Sequence, residues 1–317
     1  MKNNRKKISA VIACYNDGES IPIMHQRLTK IFLKIDVDYE IIFVNDGSPD
    51  NSEEILYEIC LKDDKTIAII HSRNFSSQNA FTSGMIESSG DAVVLLDGDL
   101  QDPPELIEKF YKLWVEGYDV VYGVREKRDT TVFLKFAYKL FYRVFKRMAY
   151  IQIPIDAGDF SLMDRKVVDA INKIPENDRF VRGLRAWVGF KQIGVSYHRP
   201  ERMFGKTTNN FFSNFRWARK GIFSFSNVPI EFIIYFSSII VFISAIALLF
   251  YIGYYFVNPA APKGITTIIV LVLFLGGAQL LSISIIAEYI GKILEETKNR
   301  PKFIIDKIFN KKPESPL

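Results

Sequence analysis

The first 125 residues of the chain alternate short apolar runs, rich in β-branched residues, with amphipathic segments. The apolar runs have the length and composition of buried strands; they are Ile8–Cys14, Glu40–Asn45, Thr66–His71, Asp91–Asp97 and Asp119–Val124. The amphipathic segments have helical periodicity and fall near residues 20–34, 50–62, 76–88 and 103–116. Strands that alternate with helices predict an α/β fold with a doubly wound, mostly parallel sheet.

Polar residues follow three of the predicted strands. Tyr15–Asp17 come after the first strand, Asn45–Ser48 lie at the end of the second, and Asp97–Asp99 lie at the end of the fourth. In open α/β sheets, ligands bind outside the carboxyl ends of the strands. We therefore expect these three groups of residues to form one binding site.

Asp97 and Asp99 place two carboxylates at the end of a buried strand. Carboxylates this close repel each other unless a cation lies between them or one is protonated. Their oxygen atoms suit Mg²⁺ or Mn²⁺, which commonly join one or two carboxylates to substrate phosphates. Taken alone, the Asp97–Asp99 motif could also be a capped turn. Asp46 is expected at the same edge of the sheet, and this second acidic loop favours a metal–nucleotide site. The chain has neither G-x-x-x-x-G-K-[ST] nor G-x-G-x-x-G, which argues against a P-loop ATPase or a dinucleotide enzyme.

Charged residues are distributed very unevenly along the chain. Lys and Arg total 41 and Asp and Glu total 36, and a net charge of only +5 does not indicate a nucleic-acid partner. Residues 232–257 and 265–287 contain no charged side chain, and each run exceeds the roughly 20 residues that cross a bilayer as a helix. We predict two transmembrane helices joined by the turn 258–264. A helical hairpin buried in a soluble core is the alternative.

Basic residues flank the outer ends of the two predicted spans, whereas the turn between them carries only Lys263. By the positive-inside rule, the N-terminal part and the C-terminal tail are both cytoplasmic. Two further segments, at about 130–150 and 208–228, combine basic with aromatic residues. That combination is typical of helices in the membrane interface, and ordinary packing against the sheet is the alternative for both.

Several motifs resemble glycosyltransferase family 2 and extend over nearly the whole chain. They are Val11–Asn16, Phe43–Ser52, Leu95–Glu105, Ala157–Leu162, Arg202–Thr207 and the two C-terminal spans. The ending Asp-Leu-Gln-Asp-Pro-Pro-Glu is typical of the polyprenyl-phosphate branch, which includes dolichol-phosphate mannose synthases and bactoprenol glucosyltransferases. The resemblance implies a GT-A catalytic domain over residues 1–207, an interfacial helix over 208–228, a transmembrane hairpin over 229–290 and a basic tail over 291–317.

The resemblance also implies a role for each residue of the expected site. The nucleotide would be bound by Ala13, Tyr15, Asn16, Asp46, Asp97 and Gly98. The metal ion, Mg²⁺ or Mn²⁺, would be held by Asp99, Gln101 and Asp97. The lipid phosphate would be contacted by Arg125, Arg128, Arg202 and Lys206. The catalytic residues would be Asp159, Asp97 and Asp99.

Asp159 is expected in a Gly-containing turn that leads to a short strand. Its position in the family suggests a general base. A phosphate monoester, however, has a second pKa near ~6 and is mostly dianionic at neutral pH, so little proton removal is needed. We therefore predict that Asp159 mainly organises the site.

Together these features predict a membrane-bound, metal-dependent, inverting enzyme that transfers one hexose from a nucleotide sugar to a polyprenyl phosphate. UDP-glucose is the first choice of donor, with GDP-mannose or a UDP-aminosugar as alternatives, and undecaprenyl phosphate is the expected acceptor. We expect a multi-pass protein of the bacterial inner membrane, with a cytoplasmic catalytic domain and termini, that forms a homo-oligomer. A non-catalytic membrane scaffold or lipid-phosphate-binding protein is the alternative, against which Asp97, Asp99 and Asp159 argue.

Overall fold

A computed structural model of the chain describes residues 5–125, 157–199, 228–257 and 264–310. These residues fall into two compact units, of which the larger contains an eight-stranded sheet. The strands are β1 (Lys7–Cys14), β2 (Asp38–Asn45), β3 (Thr66–His71), β4 (Ala92–Asp97), β5 (Val120–Arg125), β6 (Ala157–Asp164), β7 (Gln192–Tyr197) and β8 (Ile305–Phe309). The helices of this unit are α1 (Ser20–Lys34), α2 (Ser52–Lys62), α3 (Ser77–Glu87), α4 (Ile107–Val115), α5 (Arg165–Asn172) and α6 (Val181–Trp187).

The five strands predicted from apolar runs are all present, with ends shifted by at most two residues. The sheet is mostly parallel, as predicted, because β1 to β5 and β7 run in the same direction; it is mixed because β6 and β8 run in the opposite direction. Its strand order is β7-β5-β6-β4-β1-β2-β3-β8, and β6 lies antiparallel between β4 and β5. β6 lacks the continuous apolar run of the other central strands, since its sequence is Ala-Gly-Asp-Phe-Ser-Leu-Met-Asp.

The central strands are buried on both faces, which explains their uninterrupted apolar sequences. On one face, Ile8 and Ile12 of β1 join the cluster covered by α1 through Met24. On the other face α3 crosses β1, and an added Cβ at Gly84 would overlap the side chain of Val11. Glycine at this position therefore allows the helix to approach the sheet closely.

The parallel register brings the ends of three strands to one edge of the sheet. Cys14 of β1 pairs with Asn45 of β2, and Ala13 pairs with Asp97 of β4. The polar residues that follow β1, β2 and β4 are consequently neighbours in space, as predicted from the sequence.

The C-terminal residues form an edge strand that sequence analysis did not predict. β8 runs antiparallel to β3, and Ile308 pairs with Ile69. The side chain of Asn310 donates hydrogen bonds to the carbonyl oxygens of Asp63 and Thr66, at 3.0 and 2.8 Å. Part of the predicted basic tail therefore belongs to the sheet.

The second unit contains two long helices, α7 (Val228–Val257) and α8 (Ile265–Thr297). They cover the two uncharged runs, so the prediction of helices there is confirmed. Within the described residues, one helical segment, Phe274–Thr297, is long and apolar enough to cross a membrane, with a mean hydropathy of 1.4. A second span is not confirmed. The predicted interfacial helix at 130–150 lies outside the described residues, as does that at 208–228 except for its last residue.

The carboxylate of Glu40 joins β2 to β1 and to the turn before β4. It accepts hydrogen bonds from Lys7 Nζ, Ser9 Oγ and the backbone N–H of Ser89, each at 2.6 Å. Burial alone would raise the pKa of Glu40, but the hydrogen bonds from Lys7 and Ser9 hold that pKa below its ordinary value of 4.5. The ionised carboxylate therefore stabilises the fold.

We expect Glu40→Gln to lower the free energy of unfolding by about 2 kcal/mol at pH 7, because hydrogen bonds to charged groups contribute about 1.5–3 kcal/mol. Since the pKa of Glu40 is lower in the folded state, this contribution is present above pH 4.5 and is lost as the pH falls through the folded-state pKa. Denaturant unfolding of the full chain in detergent at pH 7 and pH 3.5 measures it.

The matched control is Glu58→Gln, which removes an exposed carboxylate 3.7 Å from Lys62 and should change stability by less than about 0.5 kcal/mol. A Glu40→Gln effect that is as large at pH 3.5 as at pH 7 would contradict the role assigned to the ionised carboxylate.

Candidate active site

Three residues predicted to bind a nucleotide lie at the end of β1, with Ala13 in the strand itself and Tyr15 and Asn16 in the turn that follows. Asp17 shapes this turn, because its Oδ2 accepts the backbone N–H of Tyr15 at 2.9 Å. Asn16 has a φ of 58°, a left-handed conformation that asparagine tolerates, and its N–H donates to Ser48 Oγ at 3.1 Å. The turn is thus fixed to the loop after β2, and the ring of Tyr15 is 40% exposed at the sheet edge.

Asp46 lies at the end of β2 and is only 2% exposed. Its Oδ1 accepts hydrogen bonds from His71 Nδ1 and from the backbone N–H of Phe75, both at 2.8 Å. The next residue, Gly47, has a φ of +64°, and an added Cβ would lie 2.5 Å from the backbone carbon of Arg73. Only glycine allows this close approach, which packs the loop after β2 against the loop after β3.

Asp97, Gly98 and Asp99 follow β4, as predicted. The N–H of Gly98 donates to the carbonyl oxygen of Ala13 at 2.9 Å, so this turn is joined to β1. Burial raises the pKa of Asp97, and the nearby carboxylates of Asp102 and Asp99 raise it further. Among the described residues, Asp102 Oδ2 is buried and has no hydrogen-bond partner. The carboxylates of Asp97, Asp99 and Asp102 therefore repel one another, and a bound cation would relieve this repulsion.

Two arginines and a tyrosine lie against this acidic cluster. The Tyr197 hydroxyl donates to Asp102 Oδ1 at 2.5 Å, and Arg125 Nε donates to the Tyr197 oxygen at 3.4 Å. Arg199 lies 3.8 Å from a carboxylate oxygen of Asp99 and 3.8 Å from one of Asp102. Burial alone would lower the pKa of Arg125, but Asp102 and Tyr197 raise it above its ordinary value. Arg125 therefore presents a stable positive charge beside the acidic groups.

Asp159 is the third residue of β6, and the prediction that it lies in a turn before a strand is wrong. The strand conformation places Gly158 under Arg125, whose Nη2 lies 2.8 Å from the position of an added Cβ. Asp159 Oδ2 accepts a hydrogen bond from Gln78 Nε2 at 3.0 Å, and Gln78 Oε1 accepts the backbone N–H of Val181 at 2.7 Å. The second contact fixes the orientation of the Gln78 amide, so its nitrogen faces the carboxylate.

A buried arginine contacts the backbone of the residue before Asp159. Arg185 of α6 is 1% exposed, and its Nη2 donates to the carbonyl oxygen of Gly158 at 3.3 Å. Burial lowers the pKa of Arg185 to about 10, and the charge of Asp159 opposes that shift. Among the described residues, Asp159 Oδ1 is buried without a hydrogen-bond partner. One carboxylate oxygen is therefore held in place, and the other has an unused capacity to accept a hydrogen bond.

The oxygen atoms of the acidic cluster suit a divalent cation only when a substrate supplies further ligands. Within the described part of the chain, no three His, Cys, Asp or Glu side chains are grouped so that they could hold a metal ion by themselves. Asp97 and Asp99 supply carboxylate oxygens, and Gln101 follows closely, with its N–H donating to Asp99 Oδ1 at 3.0 Å. Two carboxylates plus substrate phosphates are a common arrangement for Mg²⁺, so these residues fit the predicted ion together with a diphosphate.

Several residues of the site were not found by sequence reasoning. They are His71, Gln78, Asp102, Arg185, Tyr197 and Arg199. Asp102 belongs to the motif Leu95–Glu105 and follows Asp99 closely, so its acidic character could have indicated it. The remaining five carry no local pattern that distinguishes them. Three residues predicted to contact a lipid phosphate, Arg128, Arg202 and Lys206, lie outside the described residues.

Comparison with known proteins identifies the family. Residues 9–171 match glycosyl transferase family 2. An uncharacterized glycosyltransferase of Bacillus subtilis, YkcC, is 42% identical over 303 residues, covering 95% of this chain and 94% of that protein. The bactoprenol glucosyl transferase of Shigella phage SfV is 36% identical over 302 residues, covering 94% of this chain and 98% of that protein.

Among solved structures, a mannosyltransferase from Pyrobaculum calidifontis in complex with GDP-Man and Mn²⁺ is 14% identical, with a TM-score of 0.48 over 94% of this chain and 89% of that chain. The family match covers half of the sequence, and relatives above 30% identity extend along nearly all of it. The chain therefore belongs to glycosyltransferase family 2 and is a glycosyltransferase.

Proposed function

We propose that this glycosyltransferase moves one hexose from a nucleotide sugar to a polyprenyl phosphate at the membrane. The observation that carries the proposal is the juxtaposition of a buried acidic cluster with Arg125 and Asp159 at one edge of the sheet. The acidic cluster suits a metal-bound diphosphate, and Arg125 suits a second, separate phosphate. The similarity to bactoprenol glucosyl transferases, which is 36% for the protein of phage SfV, supports a polyprenyl acceptor.

The donor is proposed to bind with its nucleoside between the turn after β1 and Asp46. Tyr15 and Asn16 lie in that turn and Ala13 lies in the last part of β1, while the carboxylate of Asp46 accepts hydrogen bonds. Uracil and guanine both carry N–H donors that a carboxylate recognises, so Asp46 alone does not choose between them. UDP-glucose is our first choice, because the relative from Shigella phage SfV is named as a bactoprenol glucosyl transferase. GDP-mannose and a UDP-aminosugar are the alternatives.

The diphosphate is proposed to lie at Asp97, Gly98 and Asp99. Asp97, Asp99 and Gln101 would hold Mg²⁺ or Mn²⁺ together with the phosphate oxygens. The ion would supply charge neutralisation for the departing nucleoside diphosphate. The protein contributes the strand-end geometry that keeps these carboxylates together, because Gly98 is hydrogen-bonded to β1.

The acceptor phosphate is proposed to bind at Arg125, with Arg128, Arg202 and Lys206 as further contacts. Arginine holds phosphate through two parallel charge-assisted hydrogen bonds. A phosphate oxygen forms a bond to the anomeric carbon of the sugar while the bond from that carbon to the diphosphate breaks. Attack opposite the leaving group inverts the configuration. Asp159, fixed by Gln78, would orient the sugar or the acceptor through its second oxygen.

The membrane arrangement is part of the proposal. Phe274–Thr297 is the segment with the length and composition of a membrane span, and α7 would be the second. Basic residues before α7 and after α8 favour a cytoplasmic catalytic domain and cytoplasmic termini in the bacterial inner membrane. We expect a homo-oligomer, because Ala278 and Ser282 are spaced as small residues that let membrane helices pack closely.

A panel of nucleotide sugars tests the donor and the acceptor together. Purified enzyme in detergent receives each radiolabelled donor with undecaprenyl phosphate, with free undecaprenol or with no lipid. We expect labelled lipid only with the phosphorylated acceptor, and most rapidly with UDP-glucose. Faster transfer from GDP-mannose or a UDP-aminosugar would replace the donor, and transfer to free undecaprenol would contradict the phosphate acceptor.

A further inference from the structure

The carboxylate of Asp46 is held by His71, the last residue of β3. The two ring nitrogens of His71 are both engaged: Nδ1 lies 2.8 Å from Asp46 Oδ1, and Nε2 lies 2.9 Å from Ser83 Oγ. The Ser83 hydroxyl also lies 3.0 Å from the carbonyl oxygen of Ala80, so it can donate its one proton either to that oxygen or to Nε2 of the histidine. These contacts fix the ring within its plane, and the residues that cover its faces decide whether it can tilt.

One face of the His71 ring is covered by Phe303. The two rings are stacked, with centroids 5.4 Å apart and planes inclined by 8°. Phe75 contacts the same histidine edge-on, with centroids 5.8 Å apart. The backbone beside Phe303 is fixed as well, since the carbonyl oxygen of Ile304 accepts the N–H of Ser72 at 3.0 Å. Phe303 is therefore placed so that it prevents His71 from tilting.

Phe303 comes from the C-terminal segment, six residues after the end of α8 at Thr297. This segment continues into β8, which pairs with β3. Phe303 lies more than 200 positions from His71 along the chain. By stacking on His71 it supports the hydrogen bond between His71 and the carboxylate of Asp46. Aromatic stacking of this kind is stabilising and geometrically specific.

We propose that Phe303 is a positioning residue for the donor nucleoside, and that it acts by stacking on His71 and thereby fixing the carboxylate of Asp46. The segment that leads from α8 into β8 is then a part of the donor site. This inference rests on the proposed function, because it assumes that Asp46 binds the nucleoside.

The test compares two substitutions in the same segment. Phe303→Leu removes the stacked ring, and Phe309→Leu is the matched control, because Phe309 is also half-buried and contacts Tyr57 at a centroid distance of 5.2 Å. We expect Phe303→Leu to raise the KM for the donor about tenfold, equivalent to about 1.4 kcal/mol, and to leave the KM for the acceptor within about twofold. Phe303→Tyr, which keeps the ring, should behave as the unmodified enzyme.

A double substitution separates positioning from general loss of structure. If Phe303 acts through Asp46, Phe303→Leu should have no further effect on the donor KM in an Asp46→Asn background. Equal effects of Phe303→Leu and Phe309→Leu, or additive effects with Asp46→Asn, would overturn the inference while the donor site stands. An unchanged donor KM in Asp46→Asn alone would overturn the nucleoside assignment and this inference with it.

Discussion

Asp99→Asn should lower turnover at saturating substrates by about a thousandfold and leave the fold intact. The substitution removes a carboxylate from the proposed ion and diphosphate site, and charge stabilisation by a metal ion is worth several kcal/mol in such reactions. Stability should not fall, because the charge of Asp99 raises the pKa of both Asp97 and Asp102, so removing that charge relieves repulsion among the three carboxylates. Steady-state kinetics and thermal unfolding of the same preparation measure the two effects.

Chelation provides the independent arm of this experiment. The unmodified enzyme should lose activity in EDTA and recover it when Mg²⁺ or Mn²⁺ is added. Asp36→Asn is the control substitution, since Asp36 is an exposed carboxylate paired with Arg5 and, with a φ of 56°, occupies a conformation that asparagine tolerates. Full activity in excess chelator would contradict the metal assignment for Asp97, Asp99 and Gln101.

Asp159→Asn should lower turnover by about a hundredfold or more at every pH between 6 and 9. The expected loss persists across this range because a phosphate acceptor with a second pKa near ~6 is at least about half dianionic at pH 6 and almost fully so at pH 9. Asp159 is then needed for its position and charge rather than as a proton acceptor. The rate of the variant against pH is the decisive measurement, and nearly full recovery by pH 9 would show that Asp159 acts as a general base.

Gln78 provides the companion variant, because its amide holds Asp159 without lying at the acidic cluster. Gln78→Leu should lower turnover in the same pH-independent way, by about tenfold, which corresponds to the loss of a hydrogen bond to a charged group. Thr82→Val is the matched control on the same helix, since it removes a buried hydrogen bond of 2.7 Å to the Gln78 carbonyl oxygen. Similar losses in Gln78→Leu and Thr82→Val would show that the effect comes from helix stability.

The strands that could be predicted are those whose burial on both faces requires a continuous apolar sequence. β1 to β4 have this property over most of their length and were found, as was β5, which begins with the buried residues Val120 and Val121. β6 carries Gly158 and Asp159 because it contacts Arg125 and Gln78, and these requirements interrupt the apolar pattern. β8 has only five residues, two of them charged, and follows a basic segment, so no local signal separates it from a tail.

The candidate site also contains residues that could be predicted from the sequence and residues that could not. Asp46, Asp97 and Asp99 were predictable because polar residues at the carboxyl ends of parallel strands converge wherever those strands pair. Gln78 and Phe303 were not, because each acquires its role from contacts with residues distant in sequence. Gln78 is separated from Asp159 by 81 positions. Only the folded chain brings such pairs together.

The mass of the lipid product tests the central claim most directly. Purified enzyme is incubated with undecaprenyl phosphate, UDP-glucose and Mg²⁺, and the extracted lipid is examined by mass spectrometry, with the Asp99→Asn variant treated in parallel. The account predicts a single new species that is heavier than the acceptor by one hexose residue, and none with the variant. Unmodified lipid with every nucleotide sugar offered, or a ladder of products carrying several sugars, would contradict it.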